Sequence, residues 1–427
     1  MGNEYDIIII GAGPGGYETA AGAAARGMKT LLVERDSLGG TCLNRGCIPT
    51  KCLCAGAEKL FEIKHAAEFG ISATVAGCDY AAAVNRAETV IDELRQGVEG
   101  LLANVDVVHG EATLIEGPAV KVDDTVFTAS KIVIATGSRP APLRCAGAEF
   151  AIDSDAFLKL KELPQRIAIV GGGVIGLEFA SIAMAYGSEV TVLEYCAEIL
   201  PNFDADTAKR LRSLLGRRGI DIVTSAEVVE VKEDLTVVYR RKGKEKTVEA
   251  DMVVSAVGRR PCVPAGCNEV GIDLDRRGFI VTDDAMQTTA EGVYAIGDVN
   301  GRCLLAHAAS AQGKVILGAK PRLDVMPAVV FTIPECASVG TPNDDCKSVK
   351  IPYGACGKAL ASGQTDGFLK LDYMPDSGKV MACHAVGAHA SDLIAIASTA
   401  ICAGMTLDDL REHIIFAHPT LSELFSL

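Results

Sequence analysis

The same glycine-centred pattern is written twice in this chain, and this repetition limits the possible folds more than any other feature. The first copy, YDIIIIGAGPGGYETAAGAAARGMKTLLVE, leads from an apolar strand through Gly11, Gly13 and Gly16 into an Ala-rich helix and a second strand that ends at Glu34. In such a unit the first glycine makes a tight turn, the second admits a pyrophosphate to the backbone, the third packs helix on strand, and the acid binds a ribose. The pattern therefore predicts a βαβ unit that binds a dinucleotide.

The second copy, RIAIVGGGVIGLEFASIAMAYGSEVTVLE, places Gly171, Gly173, Gly176 and Glu194 in the same order. In both copies the acid follows the first glycine by 23 residues. Glycine turns that bind nothing are common, but two copies with identical spacing in the same strand–turn–helix–strand context favour two dinucleotide sites. Two such sites in one chain indicate electron transfer between two dinucleotides.

A pair of cysteines follows the first unit, in the segment GGTCLNRGCI. Cys42 and Cys47 could bind a metal together with Cys52 and Cys54, form a redox disulfide, or be two inert buried thiols. An ideal helix separates the Cα atoms of residues i and i+5 by more than the ~7 Å that a disulfide spans. A disulfide would therefore require a distorted turn, which Gly46 permits.

Two basic residues, Arg45 and Lys51, lie close to this pair in sequence and would favour thiolate. The residues alone leave the three alternatives open.

The C-terminal segment FAHPTLSEL contains a candidate base. His418 is followed by Pro419, which stiffens the chain, and Glu423 is near enough in sequence to hydrogen-bond the imidazole. A histidine oriented by a carboxylate is the usual arrangement of a general base, and thiol–disulfide exchange requires the incoming thiol to lose its proton. A lone histidine near a C-terminus more often has no such role, and spacing alone does not connect His418 to Cys47.

Composition argues against several classes of partner and site. The formal net charge of −14, from 41 basic and 55 acidic residues, disfavours nucleic acid and anionic membranes. No apolar run approaches the ~20 residues that span a bilayer, and the start MGNEYDIIIIGAG lacks the basic stretch of a secretory signal, which predicts a cytoplasmic protein.

The other thirteen cysteines form no CxxC pairs at zinc spacing, so we expect no metal site. We expect these thiols to be reduced and buried: Cys52, Cys54, Cys78, Cys145, Cys196, Cys262, Cys267, Cys303, Cys336, Cys346, Cys356, Cys383 and Cys402.

A length of 427 residues suggests about three domains. We predict a first nucleotide-binding domain over residues 1–145, a second over 146–267, a return to the first over 268–325, and a different domain over 326–427. Strands are expected in KIVIATGSRP, DMVVSAVGRRP and GVYAIGDVNG, and antiparallel strands in PAVVFTIPECASVG, GFLKLDYM and KVMACHAVG. An Ala-rich helix is expected from Ala390 to Cys402.

Together these motifs resemble the flavoprotein disulfide reductases, which are FAD-dependent pyridine nucleotide-disulfide oxidoreductases, and among them the dihydrolipoamide dehydrogenases most closely. The segments that carry the resemblance are GAGPGG, Glu34, GGTCLNRGCIPTK, GGGVIGLE, YAIGDV, LLAHAA and HPTLSE, which span residues 11–423 in the family's order. The resemblance implies an α/β fold with two Rossmann-like domains, one for FAD and one for NAD, and a C-terminal α+β dimerisation domain. It also implies a homodimer in which His418 and Glu423 reach the cysteines of the other subunit.

The resemblance also implies roles for individual residues. In a Cys42–Cys47 redox disulfide, Cys42 would exchange with substrate and Cys47 would lie beside the flavin, while Lys51 would lie near the flavin and pair with Glu178. The residues expected to bind FAD are Gly11, Gly13, Gly16, Glu34, Gly40, Thr41, Lys51, Ala112, Thr136, Gly137, Asp298 and Ala306. The residues expected to bind NAD are Gly171, Gly173, Val174, Ile175, Gly176, Glu178, Glu194, Val228, Ala256, Gly258 and Arg259.

The implied reaction is oxidation of protein-bound dihydrolipoamide with reduction of NAD to NADH. Partners would be the lipoylated carrier proteins of 2-oxo acid dehydrogenase or glycine-cleavage complexes, since no segment before residue 5 could hold a lipoyl domain. Glu194 would repel a 2′-phosphate, and no Arg or Lys follows it until Lys209, which disfavours NADPH. Two rivals are a reductase of glutathione-like or mercuric substrates and a redox-sensing flavoprotein without turnover.

The chain departs from the family's pattern in its C-terminal part. It is shorter than usual, and the segment after ASVGTPNDDCKSVK is expected to lack a helix. Ile333 stands where a histidine is often found, and Asp392 stands where a glutamate is common. We therefore expect a trimmed interface domain.

Overall fold

The computed structural model describes residues 3–427. Its strands, numbered in chain order, are β1 Glu4–Ile10, β2 Thr30–Glu34, β3 Asp106–His109, β4 Ala112–Ile115, β5 Ala119–Val122, β6 Thr125–Ile134, β7 Ser138–Pro140, β8 Arg166–Val170, β9 Glu189–Glu194, β10 Ile220–Thr224, β11 Glu227–Val231, β12 Val237–Arg241, β13 Lys244–Val248, β14 Met252–Ser255, β15 Arg259–Pro261, β16 Val293–Ala295, β17 Ala328–Val330, β18 Glu335–Gly340, β19 Lys347–Pro352, β20 Phe368–Tyr373 and β21 Val380–Gly387.

The α-helices are α1 Pro14–Ala24, α2 Gly40–Arg45, α3 Cys47–His65, α4 Tyr80–Leu101, α5 Ser154–Phe157, α6 Val174–Ala185, α7 Ala205–Arg217, α8 Ala306–Ile316, α9 Gly357–Ala361 and α10 Ala390–Ala403. Short 3₁₀ or π segments occur at Ala66–Phe69, Ala148–Phe150, Gly297–Asn300, Tyr353–Ala355, Asp409–His413 and Leu421–Phe425.

The first glycine motif belongs to a seven-stranded sheet in the order β3–β2–β1–β6–β5–β4, with β16 also paired to β6. Strands β1, β2, β3, β6 and β16 run parallel, and β4 and β5 add an antiparallel edge. Alternate residues of β1 enter two different cores, Ile8 and Ile10 in one and Ile7 and Ile9 in the other. Because both faces of the strand are covered, its sequence is a continuous apolar run.

The second glycine motif belongs to a parallel sheet in the order β10–β9–β8–β14. An antiparallel sheet, β11–β12–β13, follows β10 in the chain, and β15 pairs with β7 as a separate two-stranded ribbon. The strands expected in KIVIATGSRP, DMVVSAVGRRP and GVYAIGDVNG are confirmed as β6, β14 and β16.

The C-terminal part forms an antiparallel sheet in the order β17–β18–β21–β20–β19. Its apolar face packs against α10, through residues such as Leu371, Ala385 and Ala397. The expected antiparallel strands and the Ala-rich helix are confirmed, and β19 is an additional strand. Residues 341–346 connect β18 directly to β19 by a turn. The expectation that the segment after ASVGTPNDDCKSVK lacks a helix is wrong, because this segment contains the 3₁₀ turn Tyr353–Ala355 and the short helix α9 before β20 begins.

By the density of its internal contacts the chain divides into two compact units. The first contains the chain up to Thr50, Val84–Ala141 and Gly258–Leu323, and the second contains Lys51–Ala83, Pro142–Val257 and Asp324–Leu427. The expected fold class, two Rossmann-like sheets followed by a C-terminal α+β part, is confirmed. The finer boundaries at residues 145, 267 and 325 stay predictions. Over residues 3–427, every helix is too short or too polar to cross a membrane.

Candidate active site

The first glycine turn leaves open space where a ligand would approach. Gly11 has φ +102°, and a Cβ added there would lie 2.5 Å from the Ala135 carbonyl oxygen. A Cβ on Gly16 would lie 1.8 Å from the Gly11 oxygen, so both positions require glycine. A Cβ on Gly13 would meet no atom within 4 Å. The backbone at Gly13, beside the N-terminus of α1, therefore fits the phosphates of a dinucleotide.

Glu34 fastens this glycine turn to the end of β2. The buried carboxylate accepts hydrogen bonds from Ala12 N at 2.6 Å and from Asp36 N at 2.8 Å. A carboxylate has about four lone-pair positions, so Glu34 can hold the turn and still accept a bond from a ligand hydroxyl.

The second glycine turn repeats this construction. A Cβ on Gly171, where φ is +115°, would lie 2.4 Å from the Ala256 oxygen, and one on Gly176 would lie 2.0 Å from the Gly171 oxygen. Gly173 faces open space, and Val174 and Ile175 begin α6. The second turn therefore also fits a dinucleotide.

Glu194 takes the place of Glu34 in the second copy. Its buried carboxylate accepts hydrogen bonds from Gly172 N at 2.6 Å and from Cys196 N at 2.5 Å. Val228, another expected NAD residue, is half-buried in β11.

The cysteine segment lies against the first glycine turn. A Cβ on Gly40 would lie 2.7 Å from the Gly13 Cα, and φ at Gly40 is +59°. This contact places Gly40 and Thr41, at the start of α2, beside Gly13, as expected for residues that share one ligand.

The expected distortion between the cysteines is confirmed. Cys42 lies on α2 and Cys47 begins α3, and the two helices are separated at Gly46, where φ is −146° and ψ is −110°. A Cβ on Gly46 would lie 2.9 Å from the Thr41 oxygen and 3.4 Å from the Cys42 Cα. The chain therefore folds back over Cys42 immediately before Cys47. Pairing of the two sulfurs as a disulfide stays a prediction.

Arg45 forms an ion pair with Asp36, with 2.5 Å between Nη2 and Oδ2. Hydrogen bonding to Arg45 lowers the pKa of Asp36. Arg45, which was expected to favour thiolate at the cysteines, is therefore paired with a carboxylate. This ion pair also holds α2 near the end of β2.

The expected pair between Lys51 and Glu178 is present. The Lys51 Nζ lies 2.9 and 2.8 Å from the two Glu178 carboxylate oxygens, and the Glu178 side chain is 4% exposed. Glu178 also accepts a hydrogen bond from Phe331 N at 3.0 Å, and the Lys51 Nζ lies 4.6 Å from the centre of the Phe331 ring. A buried carboxylate needs such partners. Sequence reasoning missed Phe331, because nothing near it in the chain indicates a charged neighbour.

The C-terminal motif forms the expected histidine–carboxylate pair. His418 Nδ1 lies 2.9 Å from Glu423 Oε1, and the other carboxylate oxygen accepts from Thr420 N at 3.0 Å. These bonds, the one to His418 first, lower the pKa of Glu423. The His418 side chain is 78% exposed.

The remaining residues expected at FAD lie around the ends of the first sheet. Ala112 begins β4, Ala306 begins α8, and Thr136 and Gly137 follow β6. Thr136 Oγ1 donates to the Cys262 carbonyl at 2.5 Å. Asp298 lies in the 3₁₀ segment at the end of β16.

Arg259, expected at NAD, lies beside Asp298, expected at FAD. Its Nε donates to Ser138 Oγ at 2.6 Å, and Ser138 Oγ donates to Asp298 Oδ2 at 2.5 Å. Gly258 and Arg259 belong to the first compact unit, whereas Ala256 belongs to the second. Sequence reasoning missed Ser138, although it directly follows Thr136 and Gly137, which were expected to bind FAD.

The expectation that the other thirteen cysteines are buried is wrong for Cys78 and Cys402, which are exposed. Cys78 lies in an irregular stretch before α4, and Cys402 lies on the outer face of the last turn of α10. Burial is confirmed for Cys54, Cys267, Cys336, Cys356 and Cys383, and the rest are half-buried. Across residues 3–427, no group of three or more His, Cys, Asp or Glu is arranged to hold a metal ion.

Comparison with known proteins extends over almost the whole chain. Residues 5–313 match the family described as pyridine nucleotide-disulphide oxidoreductase, and residues 326–427 match its dimerisation domain. The dihydrolipoyl dehydrogenase of Geobacillus stearothermophilus is 39% identical over 445 residues, covering 99% of this chain and 94% of that protein. The dihydrolipoyl dehydrogenase of Bacillus subtilis is 40% identical, covering 99% and 95%.

A solved structure gives the same assignment of fold. The HOCl-induced flavoprotein disulfide reductase RclA from Escherichia coli superposes with a TM-score of 0.86 at 30% identity, covering 99% of this chain and 100% of that one. The two glycine turns fit FAD and NAD, the cofactors of these oxidoreductases. The chain therefore belongs to the pyridine nucleotide-disulphide oxidoreductase family.

Proposed function

We propose that the chain oxidises dihydrolipoamide carried by another protein and reduces NAD to NADH. The observation that carries this proposal is the full-length identity of 39–40% to proteins named dihydrolipoyl dehydrogenase. RclA, which points to a different disulfide reductase, is less similar at 30%.

The two glycine turns would hold the two cofactors. Gly11, Gly13, Gly16 and Glu34 would hold FAD, and Gly171, Gly173, Gly176 and Glu194 would hold NAD. When bound, FAD would supply the capacity to take up an electron pair from thiols and to reduce NAD by hydride transfer. The protein must bind both groups, keep water from the reacting atoms and control the protons.

The cysteines carry the dithiol half of the reaction. A thiolate of the substrate attacks Cys42 of the Cys42–Cys47 disulfide, so that one S–S bond breaks and a mixed disulfide forms. The second substrate thiol attacks the substrate sulfur of the mixed disulfide and releases Cys42. The substrate leaves as a disulfide, and the two electrons remain on Cys42 and Cys47. The fold-back at Gly46 supports this role because it brings the two cysteines to one turn.

His418 accepts the proton that each attacking thiol must lose. An ionised carboxylate can only accept hydrogen bonds, so Glu423 places the imidazole hydrogen on Nδ1. Nε2 is then the proton acceptor and faces away from Glu423. The lowered pKa of Glu423 keeps the carboxylate ionised and the imidazole in this tautomer.

The base acts across a homodimer. In one chain the His418 side chain is 78% exposed and the nearby Ile415 is 97% exposed. An exposed large apolar side chain beside a base is typical of a surface that another copy covers. A match to the family's dimerisation domain over residues 326–427 supports the same arrangement.

The physiological partners would be lipoylated carrier proteins of 2-oxo acid dehydrogenase or glycine-cleavage complexes, in the cytoplasm. The first experiment is a turnover assay with dihydrolipoamide, glutathione disulfide or no added substrate, each with NAD(H) and NADP(H). Dihydrolipoamide with NAD should give the fastest turnover. Faster reduction of glutathione disulfide with NADPH would establish the rival reductase, and no turnover at all would favour a redox sensor.

A second experiment tests the shared site. Inactive Cys42→Ser and His418→Gln proteins are mixed so that their subunits exchange. A mixed dimer holds one intact site, so activity should return to about a quarter of normal for random pairing. If mass measurement confirms exchange and activity stays absent, the base acts within its own subunit.

A further inference from the structure

The guanidinium of Arg259 is committed to the turn that ends β6. Nε donates to Ser138 Oγ at 2.6 Å, Nη2 donates to the Ser138 carbonyl at 2.7 Å, and the side chain is only 15% exposed. The pairing of β15 with β7 holds the backbones of the two residues in this register. A side chain fixed by two bonds to one residue is not free to follow a mobile ligand.

The Ser138 hydroxyl passes this constraint to Asp298. Arginine has donors and no acceptor, so Ser138 Oγ must accept from Arg259, and its own hydrogen must point elsewhere. It points to Asp298 Oδ2 at 2.5 Å, and Arg259 Nε itself lies 3.8 Å from the same oxygen. The chain of donors therefore runs in one direction, from Arg259 through Ser138 to the carboxylate.

Asp298 is set up as an acceptor for something outside the protein. Burial raises its pKa, while the bond from Ser138 and the charge of Arg259 act in the opposite direction and favour the ionised form. Within residues 3–427 only Oδ2 of this carboxylate has a hydrogen-bond partner, and the side chain keeps 23% exposure. The second oxygen, Oδ1, is left with its lone pairs for a ligand hydroxyl.

We propose that Arg259 and Ser138 are positioning residues that orient Asp298 toward a hydroxyl of bound FAD, and that Arg259 does not bind NAD. The inference rests on the proposed function only in taking FAD as the ligand of the first glycine turn. Its chemistry is recognition of a polyol by the Oδ1 atom of a largely buried carboxylate, whose other oxygen, Oδ2, is held by a serine and lies near an arginine.

The test compares two neighbouring arginines. Arg259→Met should weaken FAD binding to the apoprotein by roughly tenfold or more, the effect of losing support from a charge-assisted bond. NAD affinity of the oxidised holoenzyme, measured by calorimetry, should change by less than about twofold. Arg260→Met, on the same strand, is the matched control and should change neither affinity. A fall in NAD affinity with unchanged FAD binding would overturn the proposal.

A double-mutant cycle separates positioning from general support of the fold. If Arg259 acts through Asp298, Arg259→Met should have no further effect on FAD affinity in an Asp298→Asn protein. Additive losses would mean that Arg259 only stabilises the local structure, which would refute the positioning role. Ser138→Thr, which keeps the hydroxyl, should retain FAD better than Ser138→Ala, and this pair carries the test if Arg259→Met does not fold.

The outcome can be distinguished from failure of the proposed function. Absence of FAD binding by the unmodified protein would sink the proposed function itself. Normal FAD binding that Arg259→Met and Ser138→Ala leave unchanged would sink only this inference.

Discussion

The two glycine turns share the same close glycine contacts and the same hydrogen bond to an acid, yet the segments attached to them differ. In each, an acid at the end of the second strand accepts a backbone N–H from the turn, at 2.6 Å in both cases, from Ala12 to Glu34 and from Gly172 to Glu194. In each, the middle glycine faces open space. The repeated sequence therefore produces the same ligand cradle twice.

The difference begins just after the acid. After Glu34, left-handed Gly39 and Gly40 lead the chain back against Gly13 and into the helices that carry Cys42 and Cys47. After Glu194, the chain returns through Leu200, whose N–H donates to the Gly172 oxygen at 3.0 Å, and continues into α7.

This contrast teaches that the cradle is general and that the chemistry comes from its attachments. Thiols placed next to the first cradle would make it the site of dithiol oxidation under the proposed function. The second cradle has a buried Glu178 on its helix, which is used to hold Lys51, and no thiol pair at the corresponding place. The second cradle is therefore suited to binding a nucleotide reversibly.

Removing the thiols should have the largest effect, because they are the feature that distinguishes the first glycine turn from the second. Cys42→Ser and Cys47→Ser should each abolish oxidation of dihydrolipoamide, because exchange needs both sulfurs. NADH oxidation by an artificial electron acceptor should continue. Reduced Cys42→Ser protein should keep a long-wavelength absorbance band from the Cys47 thiolate beside the flavin, and Cys47→Ser should lose it. A band that survives in Cys47→Ser would reverse the assignment of the two cysteines.

The base should matter only to the dithiol half-reaction. His418→Gln should slow that half-reaction by ~10²–10⁴-fold, the usual contribution of a positioned base. Glu423→Gln should have a milder effect, because it orients the imidazole and removes no proton itself. Stopped-flow reduction by dihydrolipoamide and by NADH separates the halves. Equal slowing of both by His418→Gln would contradict the role of the base.

The open glycines allow a symmetrical test of the two cradles. Gly13→Ala and Gly173→Ala each add a methyl group that meets no protein atom within 4 Å, so both proteins should fold with nearly unchanged melting temperature. The methyl would occupy the ligand's space, at about 1–3 kcal/mol or up to roughly 100-fold in affinity. Gly13→Ala should lose FAD and keep NAD binding, and Gly173→Ala should do the reverse. If both variants lost the same nucleotide, the two turns would not bind two different nucleotides, and the interpretation would be wrong.

The smallest expected effect concerns the choice between NAD and NADP. Glu194→Ala removes a buried acceptor of the ribose hydroxyl, worth on the order of 1.5–3 kcal/mol, so the preference for NAD should narrow by roughly tenfold. Glu34→Ala is the matched control and should leave this preference unchanged. Should the unmodified protein already favour NADPH in steady-state kinetics, Glu194 does not read the ribose.

The sequence alone predicted those features that depend on residues close together in the chain. The glycine spacing located both turns and both acids, and the chain distance between Cys42 and Cys47 required the break that occurs at Gly46. The pairing of Lys51 with Glu178 came only from resemblance to known proteins, because 127 residues separate them.

Contacts between distant segments could not be predicted. Phe331 and Ser138 carry no local signal, since an aromatic just after a strand and a serine after a turn are ordinary residues. Their partners, Glu178 and Arg259, are brought to them only by folding. Cys78 and Cys402 were misjudged for a similar reason, because composition does not tell which face of an irregular stretch or a helix meets solvent.

Burial of five other thiols, Cys54, Cys267, Cys336, Cys356 and Cys383, would keep them from exchanging with a Cys42–Cys47 redox pair. Burial raises the pKa of Cys54, Cys336 and Cys383 strongly, and that of Cys267 to about 11. Because only a thiolate attacks a disulfide, these groups exchange very slowly near neutral pH. Of the fifteen cysteines in the chain, these four should therefore take little part in exchange with a substrate dithiol. The protein interior should therefore limit thiol–disulfide exchange between these buried cysteines and the Cys42–Cys47 pair.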